Sequence, residues 1–509
     1  DDRWITGHLY GGDQDTRIRQ EIVLGIGGAR LLRTLQVLGI ECAPAVYHLN
    51  EGHSAFVALE LARERLASGA ATSFATAHRT VASRLAFTTH TPVSAGHDTF
   101  PAELVEAYFS EYREQLGLSQ TELMALGQHA AVNDGSGFSM TVLALRSAHA
   151  RNGVSQLHGA VSRRMWRGVG VGVDDAPPRT EMEAITNGVH SATWAGPDMS
   201  SLFDDRMGTA WRTAPHKHSS WQRLTDCDST QLWSARTAQR GRLLERVDAA
   251  ARTEGLEGLA PEVTADRALV LGFARRFATY KRAGLLLEDP DRLWRLLAGD
   301  PTRPVVLVFA GKAHPRDEAG KRLVQRIVEA SRDERFRGRI VFLENYGVEL
   351  ARLLVQGSDV WLNTPRRPEE ASGTSGMKAA LNGALNVSEL DGWWDEAYAP
   401  GIGWPLGDGM PQDASADEVD RMEACQLMET LEHEVVPLFF ARDPQGVPVQ
   451  WLGRVVRSIE TLAGQFSAHR MLQEYVELMY RPAGAQPLLL WHVAAAQAAS
   501  QTGHAARAA

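Results

Sequence analysis

A short glycine- and serine-rich segment that ends in a lysine holds the residues best suited by type and spacing to do chemistry. The stretch Glu-Glu-Ala-Ser-Gly-Thr-Ser-Gly-Met-Lys ends at Lys378, follows a strand-like run over 359–363 and leads into a helical pattern over 377–385. The turn 372–376 can direct backbone N–H groups at an anion, and the positive end of the following helix adds to that attraction. A phosphate held at a helix start, with an amine beside it, could be that of pyridoxal phosphate bound as a Schiff base. The same pattern also occurs in solvated surface turns, so the spacing alone leaves both interpretations open.

Cationic side chains gather after a second strand-like run. Four cations lie within the eight residues 275–282, interleaved with Phe277 and Tyr280. The planar fork of an arginine donates two hydrogen bonds to one phosphate, which suits such a loop to anion binding, although a solvated surface loop is the alternative. Other strand-like runs end in polar residues as well: Gly311-Lys312, Glu344-Asn345-Tyr346 and Pro365-Arg366-Arg367. We expect these ends to converge on one pocket.

The elements that must position these residues follow an alternating pattern. Apolar strand-like runs lie at 268–273, 305–309, 339–343 and 360–362, and helical patterns lie between them at 283–297, 319–331 and 348–356. This alternation predicts an α/β fold with a parallel doubly wound sheet, in which ligands bind beyond the carboxyl ends of the strands. A helical segment is also predicted over 458–480.

The first half of the chain mixes helical and strand-like patterns. Short β-like runs at 44–48, 85–89 and 184–186 each lead into a polar cluster. The segment 17–38 has a helical pattern that contains Gly25, Gly27 and Gly28. Because no strand and turn precede these glycines, we interpret them as sites of close helix packing and reject a dinucleotide-binding motif.

Length and composition limit the classes of protein to consider. A chain of 509 residues predicts two or more domains with substantial cores. The net charge of −9 argues against general nucleic-acid binding, and no apolar run reaches the ~20 residues that span a bilayer. Cys42, Cys227 and Cys425 show no paired spacing, which favours a reducing, cytoplasmic location and no metal site.

The string ASGTSGMKAALNGALN and the DGWWDEAY that follows it resemble the cofactor-lysine segment of the α-glucan (glycogen/maltodextrin) phosphorylases. The DGWWDE part is similar to the bacterial and archaeal branch of that family. The resemblance runs from about Leu9 to about Tyr480. It implies a GT-B-like architecture of two Rossmann-like domains, with the active site in the cleft between them and the first domain incomplete. It also implies a sugar-binding part at 1–262, a cofactor- and phosphate-binding domain at 263–465 and a closing helix with an Ala-rich tail at 466–509.

The resemblance implies roles for individual residues on the phosphate side. Lys378 corresponds to the lysine that anchors pyridoxal 5′-phosphate, and Thr374 and Ser375 lie beside it. Arg276 and Lys281 correspond to the residues that bind the substrate phosphate. The cofactor phosphate contact falls on Arg275, where many members have a lysine, Lys281 lies at the same site, and the tyrosine near the cofactor falls on Tyr346.

On the sugar side, the resemblance assigns His90 to the histidine that contacts the glucosyl unit and Asn187 to the sugar-binding asparagine. Glu370, Ser372 and Gly373 match residues that hold the hydroxyls of the same sugar. His53 falls on a family histidine near the site, and the segment Tyr10-Gly11-Gly12-Asp13 is similar to a mobile loop that gates entry.

The activity that the resemblance implies is phosphorolysis of α-1,4-glucans. A terminal glucosyl unit would pass from glycogen or maltodextrin to inorganic phosphate, giving α-D-glucose 1-phosphate with retention, and a homodimer is expected. The family's N-terminal portion, with its Gly-Gly-Leu-Gly loop, has no counterpart in the sequence. We therefore expect a truncated gene model, a fragment or a degraded paralogue.

Two other functions remain open from the sequence. One is a GT-B glycosyltransferase that uses a sugar nucleotide, which would have no need of Lys378. The other is an inactive truncated phosphorylase that still binds glucan.

Overall fold

The computed structural model describes residues 2–7, 13–93, 96–130, 135–169, 181–253, 258–409 and 414–484. These residues form two compact units. The first contains the described residues of Asp1–Val154, Gly159–Ile185 and Gln473–Ala509, and the second contains Ser155–His158 and Thr186–Leu472. The described residues of 186–262, which the resemblance assigns to the sugar-binding part, belong to the second unit. No helix in the described part of the chain is both long and apolar enough to cross a membrane.

The first unit is built on a parallel four-stranded sheet in the order β1–β2–β5–β6. Its strands are β1 (Tyr47–Asn50), β2 (Leu85–Thr88), β5 (Ala150–Gly153) and β6 (Glu183–Ala184), and β3 (Thr99–Phe100) pairs with β4 (Phe138–Ser139) in an antiparallel ribbon. Three of the four sheet strands fall on the β-like runs of the sequence. The sequence Ala-Arg-Asn-Gly of β5 carries no strand pattern, and its pairing with β2 rather than its composition makes it a strand.

Helices and short turns pack around this sheet. The α-helices of this part are Gln14–Ile22, Gly28–Val37, Val57–Ala67, Phe74–Ala82, Ala102–Gln115, Gln120–Gly127, Met140–Ser147 and Arg481–Gly484, with π-helical turns at Val23–Gly27 and Tyr475–Tyr480, 3₁₀ turns at Asp2–Thr6 and Gly52–Ser54, and a further helix at Gln156–Met165. The predicted helical segment 17–38 is confirmed. A Cβ on Gly25 would lie 2.9 Å from the backbone nitrogen of Val57, which confirms close packing at that glycine, whereas Gly28 has open space around it.

The second unit is built on a parallel six-stranded sheet in the order β12–β11–β10–β7–β8–β9. Its strands are β7 (Leu269–Ala274), β8 (Val305–Ala310), β9 (Ile340–Leu343), β10 (Val360–Asn363), β11 (Leu385–Glu389) and β12 (Gly403–Leu406). The four predicted strands are confirmed as β7 to β10. The helical pattern predicted through 385 was wrong at its end, because the helix stops at Leu381, Gly383 adopts φ +87° and buried Leu385 begins β11.

Both faces of this sheet are buried. Alternate residues of β7 point to opposite faces, so Leu269, Leu271 and Phe273 enter one apolar core while Val270 and Ala274 enter another. The continuous apolar runs of the sequence therefore reflect a sheet covered on both sides, as the doubly wound prediction requires.

The connecting helices of the second unit supply these two covers. Their bounds are Ser191–Trp194, Pro197–Met207, Ala210–Thr213, Ser229–Thr253, Pro290–Ala298, Glu318–Arg332, Val348–Gly357, Thr374–Leu381, Trp393–Ala397, Ala416–Thr430, Val436–Phe440, Val449–Gln465 and Ala468–Glu474, with a π-helical turn at Leu431–Val435 and 3₁₀ turns at His218–Ser220, Gln222–Asp226, Thr279–Lys281 and Leu285–Leu287. The helix predicted over 283–297 begins later, at Pro290, because Asp289 caps it and proline suits the first helical position. The segment predicted over 458–480 is helical but divided near Phe466.

The strand order places a topological switch in the middle of the second sheet. The chain runs outward from β7 through β8 to β9, then returns to lay β10 on the other side of β7. Loops leave β7 and β10 at this point, at the carboxyl ends of the strands, where open α/β sheets bind their ligands. The predicted anion-binding residues follow these two strands.

Candidate active site

The centre of the site is the carboxylate of Glu370. Its Oε2 atom accepts a hydrogen bond from Arg275 Nη2 at 2.5 Å and also contacts the Lys281 ammonium. Arg275 reaches Asn363, the last residue of β10, with its other terminal nitrogen. The loop after β7 and the loop after β10 are thus joined by one carboxylate that carries two cations.

Burial and neighbouring charges set the protonation of this cluster. Burial raises the pKa of Glu370, but the adjacent Arg275 and Lys281 outweigh it and hold the pKa below its usual value. Burial and the nearby Arg275 lower the pKa of Lys281 to about 8, against the opposing effect of Glu370. Arg276 is exposed beside the Tyr280 ring. Three cations against one carboxylate leave the cluster with spare positive charge for an anion.

The end of β8 fixes the path of the cationic loop. Arg275 and Phe277 donate backbone hydrogen bonds to the carbonyls of Ala310 (3.1 Å) and Lys312 (3.0 Å). A Cβ on Gly311 would lie 2.0 Å from the Arg275 carbonyl oxygen, so the loop crosses directly over this glycine. The Lys312 side chain is exposed, and its contribution to this path comes from its backbone.

Lys378 lies in the helix Thr374–Leu381, which follows Gly373 in a left-handed conformation (φ +87°). Its Nζ atom sits 4.0 Å from the centroid of the Trp194 ring, and burial lowers the pKa of the amine. Asn382 donates from one amide group to the carbonyls of Trp194 (2.9 Å) and Lys378 (2.8 Å), which ties the two residues together. Trp194 is not predicted from the sequence, because nothing in the Ser-Ala-Thr-Trp segment marks it as a neighbour of a residue 184 positions later.

The turn before this helix offers polar groups to a ligand. Ser375 Oγ accepts a hydrogen bond from Trp361 Nε1 at 3.2 Å, which holds the start of the helix on β10. Ser372 is 5% exposed, and its Oγ atom has no hydrogen-bond partner among the described residues. Tyr346, after β9, is half-buried near Arg275; burial raises its pKa and that cation opposes the change. An orphaned hydroxyl, a helix N-terminus and nearby cations fit a phosphate-bearing cofactor and a polyhydroxylated substrate.

Asn187 also lies in the second unit, in a segment that is held from two sides. Arg470 donates to the carbonyls of Thr186 (2.7 Å) and Asn187 (3.2 Å). Glu396 accepts a hydrogen bond from the Thr186 hydroxyl at 2.8 Å. The segment is therefore fixed, and the Asn187 side chain is half-buried.

His90 lies in the first unit, at the carboxyl end of β2. Its Nε2 atom pairs with Asn50 Oδ1 at 3.1 Å, and its backbone N–H donates to Glu51, whose φ of +59° is strained for a non-glycine residue. Burial, with a smaller effect from His53, lowers the pKa of His90 to about 4, so its imidazole is neutral near pH 7.

Other residues named from the sequence also fall in the first unit. His53 contacts Asp98 and Glu21, both at 3.3 Å, and these carboxylates raise its pKa to about 9. Asp13 caps the helix Gln14–Ile22 by accepting a hydrogen bond from the Thr16 N–H at 2.9 Å. Tyr10, Gly11 and Gly12 lie outside the described residues.

Fold and site together define a mixed α/β protein with a cluster of cations on one carboxylate at the switch point of a parallel sheet, and a half-buried lysine in the helix that follows β10. The family model of the carbohydrate phosphorylases matches residues 42–394, a range that includes β1 to β11 and all the residues of the cluster. The chain belongs to the carbohydrate phosphorylase family.

Named relatives cover almost the whole chain. It is 43% identical to glycogen phosphorylase of Mycobacterium tuberculosis over 497 residues, which are 94% of this chain and 56% of the relative. It is 42% identical to maltodextrin phosphorylase of Thermococcus litoralis (96% of this chain, 57% of the relative) and 36% identical to glycogen phosphorylase of Aquifex aeolicus (94% and 68%). The chain thus spans little more than half the length of the first two. These relationships confirm the predicted family and do not favour a sugar-nucleotide transferase.

Proposed function

We propose that this chain carries the chemistry of an α-1,4-glucan phosphorylase. The reaction moves a terminal glucosyl unit from glycogen or maltodextrin to inorganic phosphate and yields α-D-glucose 1-phosphate with retention. The observation that carries the proposal is the pair of cations, Arg275 and Lys281, on the single carboxylate Glu370 at the sheet's switch point. Such a cluster can exchange its internal ion pairs for contacts to phosphate on one side and sugar on the other.

The residues around Lys378 fit pyridoxal 5′-phosphate. A buried amine with a lowered pKa is more often neutral than an exposed lysine and can hold the cofactor aldehyde covalently. Thr374 and Ser375 present backbone amides at the helix start, and Arg275 and Tyr346 follow the carboxyl ends of β7 and β9 in the same sheet. When bound, the cofactor would supply through its 5′-phosphate an acid partner for the substrate phosphate.

Arg276 and Lys281 would hold the substrate phosphate. The cofactor phosphate and the substrate phosphate would repel each other by roughly several kcal/mol at modest dielectric. Cations beside them are therefore required. Lys281 is buried and turned toward Glu370, whereas Arg276 is exposed. We assign to Arg276 the capture of the incoming anion and to Lys281 its placement beside the sugar-binding carboxylate.

The sugar would be held by His90, Asn187, Glu370, Ser372 and Gly373. The buried Ser372 hydroxyl lacks a protein partner among the described residues, and a sugar hydroxyl would satisfy it. His90 is neutral near pH 7, so it can hydrogen-bond a sugar hydroxyl without adding positive charge beside a developing oxocarbenium centre. The reaction needs no pair of catalytic carboxylates, which separates it from ordinary glycoside hydrolysis.

The proposal includes the wider organisation that the resemblance implies. We propose a GT-B arrangement of two Rossmann-like domains with the active site between them, a homodimeric assembly and a cytoplasmic location. The parallel sheets of both units support the first of these.

The test is an assay of the full chain loaded with pyridoxal phosphate. Maltodextrin and inorganic phosphate should yield glucose 1-phosphate of α configuration, and Lys378→Ala should yield none. Arg276→Ala should mainly raise the KM for phosphate. No product from the loaded chain, full activity in Lys378→Ala, or transfer from a sugar nucleotide instead would each contradict the proposal.

A further inference from the structure

Two elements proposed to hold the sugar are fastened by one short segment, 391–396, whose sequence is Asp-Gly-Trp-Trp-Asp-Glu. We propose that Asp391 and Glu396 are positioning residues that set the geometry of the two sugar-binding elements independently of each other. Asp391 acts on the loop 370–373, and Glu396 acts on the segment that carries Asn187. This inference rests on the proposed function and assigns a role to residues that the reaction itself does not use.

Asp391 fixes the backbone at Glu370. Its Oδ2 atom accepts the Glu370 N–H at 2.8 Å and its Oδ1 atom accepts the Gly392 N–H at 2.8 Å. The residue is fully buried, and burial together with the nearby Glu370 charge raises its pKa to about 7. A buried carboxylate that spends both oxygens on backbone amides holds those amides in one place.

The next two residues clamp the same loop from its other end. Trp393 donates its backbone N–H to the Ser372 carbonyl at 2.8 Å. Gly392 adopts φ +55°, and a Cβ there would lie 2.4 Å from the same carbonyl oxygen. The loop and the segment therefore approach as closely as backbones can, which makes the position of Ser372 depend on this contact.

Glu396, five residues after Asp391, acts on the second element. Its carboxylate accepts the Thr186 hydroxyl at 2.8 Å and the Gln156 N–H at 3.1 Å. Thr186 directly precedes Asn187, and Arg470 holds the carbonyls of both. Glu396 thus holds the segment through the Thr186 side chain, and Arg470 holds it through the backbone.

The same segment offers a matched control. Asp395 lies between these residues in the sequence, but its carboxylate pairs with Arg367 at 2.8 Å on the partly exposed surface. Among the described residues, neither member of this pair forms a hydrogen bond or ion pair with the loop 370–373 or with Asn187. An Asp395→Asn change removes a charge of the same kind from the same segment and breaks no hydrogen bond to either sugar-binding element.

The experiment compares Asp391→Asn, Glu396→Gln and Asp395→Asn in the cofactor-loaded full chain. The probes are glucose and its single-deoxy analogues, with dissociation constants measured by calorimetry. We expect Asp391→Asn and Glu396→Gln each to weaken glucose binding by about tenfold. Each variant loses about one hydrogen bond to a buried carboxylate, and with it the fixed position of one sugar-binding element. Asp395→Asn should bind as the unchanged chain does.

The deoxy analogues distinguish positioning from general damage. In the unchanged chain, removal of a held hydroxyl should weaken binding, and each variant should show a smaller penalty only for the hydroxyls that its own element holds. The penalty for removing a hydroxyl should therefore shrink at different ring positions in the two variants, while the cofactor content of both stays unchanged. A uniform loss across all analogues, the same altered positions in both variants, or no loss would overturn the inference. If the unchanged chain bound no glucose, both the proposed function and this inference would fail.

Discussion

The ammonium group of Lys378 lies 4.0 Å from the centroid of the Trp194 indole ring. The two residues are also joined through Asn382, which donates to both carbonyls. A cation over an aromatic face gains about 0.5–2 kcal/mol, depending on how dry the site is. The ring thus fixes the direction of the amine and gives the proposed cofactor lysine a defined position before anything binds.

Replacement of Trp194 should weaken cofactor retention. Trp194→Leu removes the aromatic face and should lower the affinity for pyridoxal phosphate by about tenfold, whereas Trp194→Phe keeps a ring and should lose less. The measurement is the cofactor content after dialysis against increasing volumes of buffer. Equal retention in the leucine and phenylalanine variants would show that the ring face does not matter.

The use of phosphate should depend on the ionisation of Lys281. Its pKa is lowered to about 8, so the ammonium form is present below that pH and is lost as the pH rises through it. The KM for phosphate should therefore increase above about pH 8, while the KM for maltodextrin changes less. Lys281→Arg keeps its charge in alkaline solution and should move this increase to higher pH. A phosphate KM that is flat across this range in the unchanged chain would contradict the assignment.

Arg282, the neighbour of Lys281, anchors the cationic loop to the residues that follow β10. It adopts φ +48°, donates to the carbonyls of Thr364 (3.0 Å) and Pro365 (2.8 Å), and contacts the carboxylates of Glu389 and Glu423. Burial and the adjacent Glu423 raise the pKa of Glu389 above its usual value, and Arg282 opposes them. The burial of Glu389, and the presence of Glu423 and Asp420 on the same guanidinium, thus favour a proton on Glu389.

This raised pKa makes stability depend on pH. Above about pH 4.5 the unfolded chain releases the Glu389 proton, whereas the folded chain keeps it until the pH approaches about 8. The contribution of this proton to the free energy of unfolding is therefore complete below about pH 4.5 and is lost as the pH rises toward about 8. Glu389→Gln should therefore reduce the fall in denaturant midpoint between about pH 5 and pH 7.5. Glu318→Gln, at a surface pair with Lys321, should leave that fall unchanged. An unaltered fall in Glu389→Gln would contradict this protonation.

The sequence predicted the second sheet well because its strands are continuous apolar runs. Val305–Ala310 and Leu269–Ala274 are buried on both faces, so their pattern is independent of register. The strands β5 and β12 were missed because their short sequences, Ala-Arg-Asn-Gly and Gly-Trp-Pro-Leu, take strand form only through pairing with a neighbour. The helix over 377–385 was extended too far because Leu385 continues an apolar pattern that Gly383 interrupts.

The candidate site was predicted in its residue types more than in its contacts. Arg275, Lys281 and Glu370 lie 95 positions apart at most, and their union through one oxygen depends on the strand order that brings β10 beside β7. Trp194 and Asn382 could not be foreseen, because their role arises from packing between distant segments. The roles of all the predicted site residues, from Lys378 to Arg276, His90 and Asn187, stay predictions until ligands are bound.

The most direct test of this account is to load the full chain with pyridoxal phosphate, reduce it with borohydride and map its peptides by mass. We predict a pyridoxyl-phosphate adduct on Lys378 and its absence from the Lys378→Ala variant. An unmodified Lys378 after loading, or an adduct spread over exposed lysines such as Lys312 and Lys321, would contradict the account.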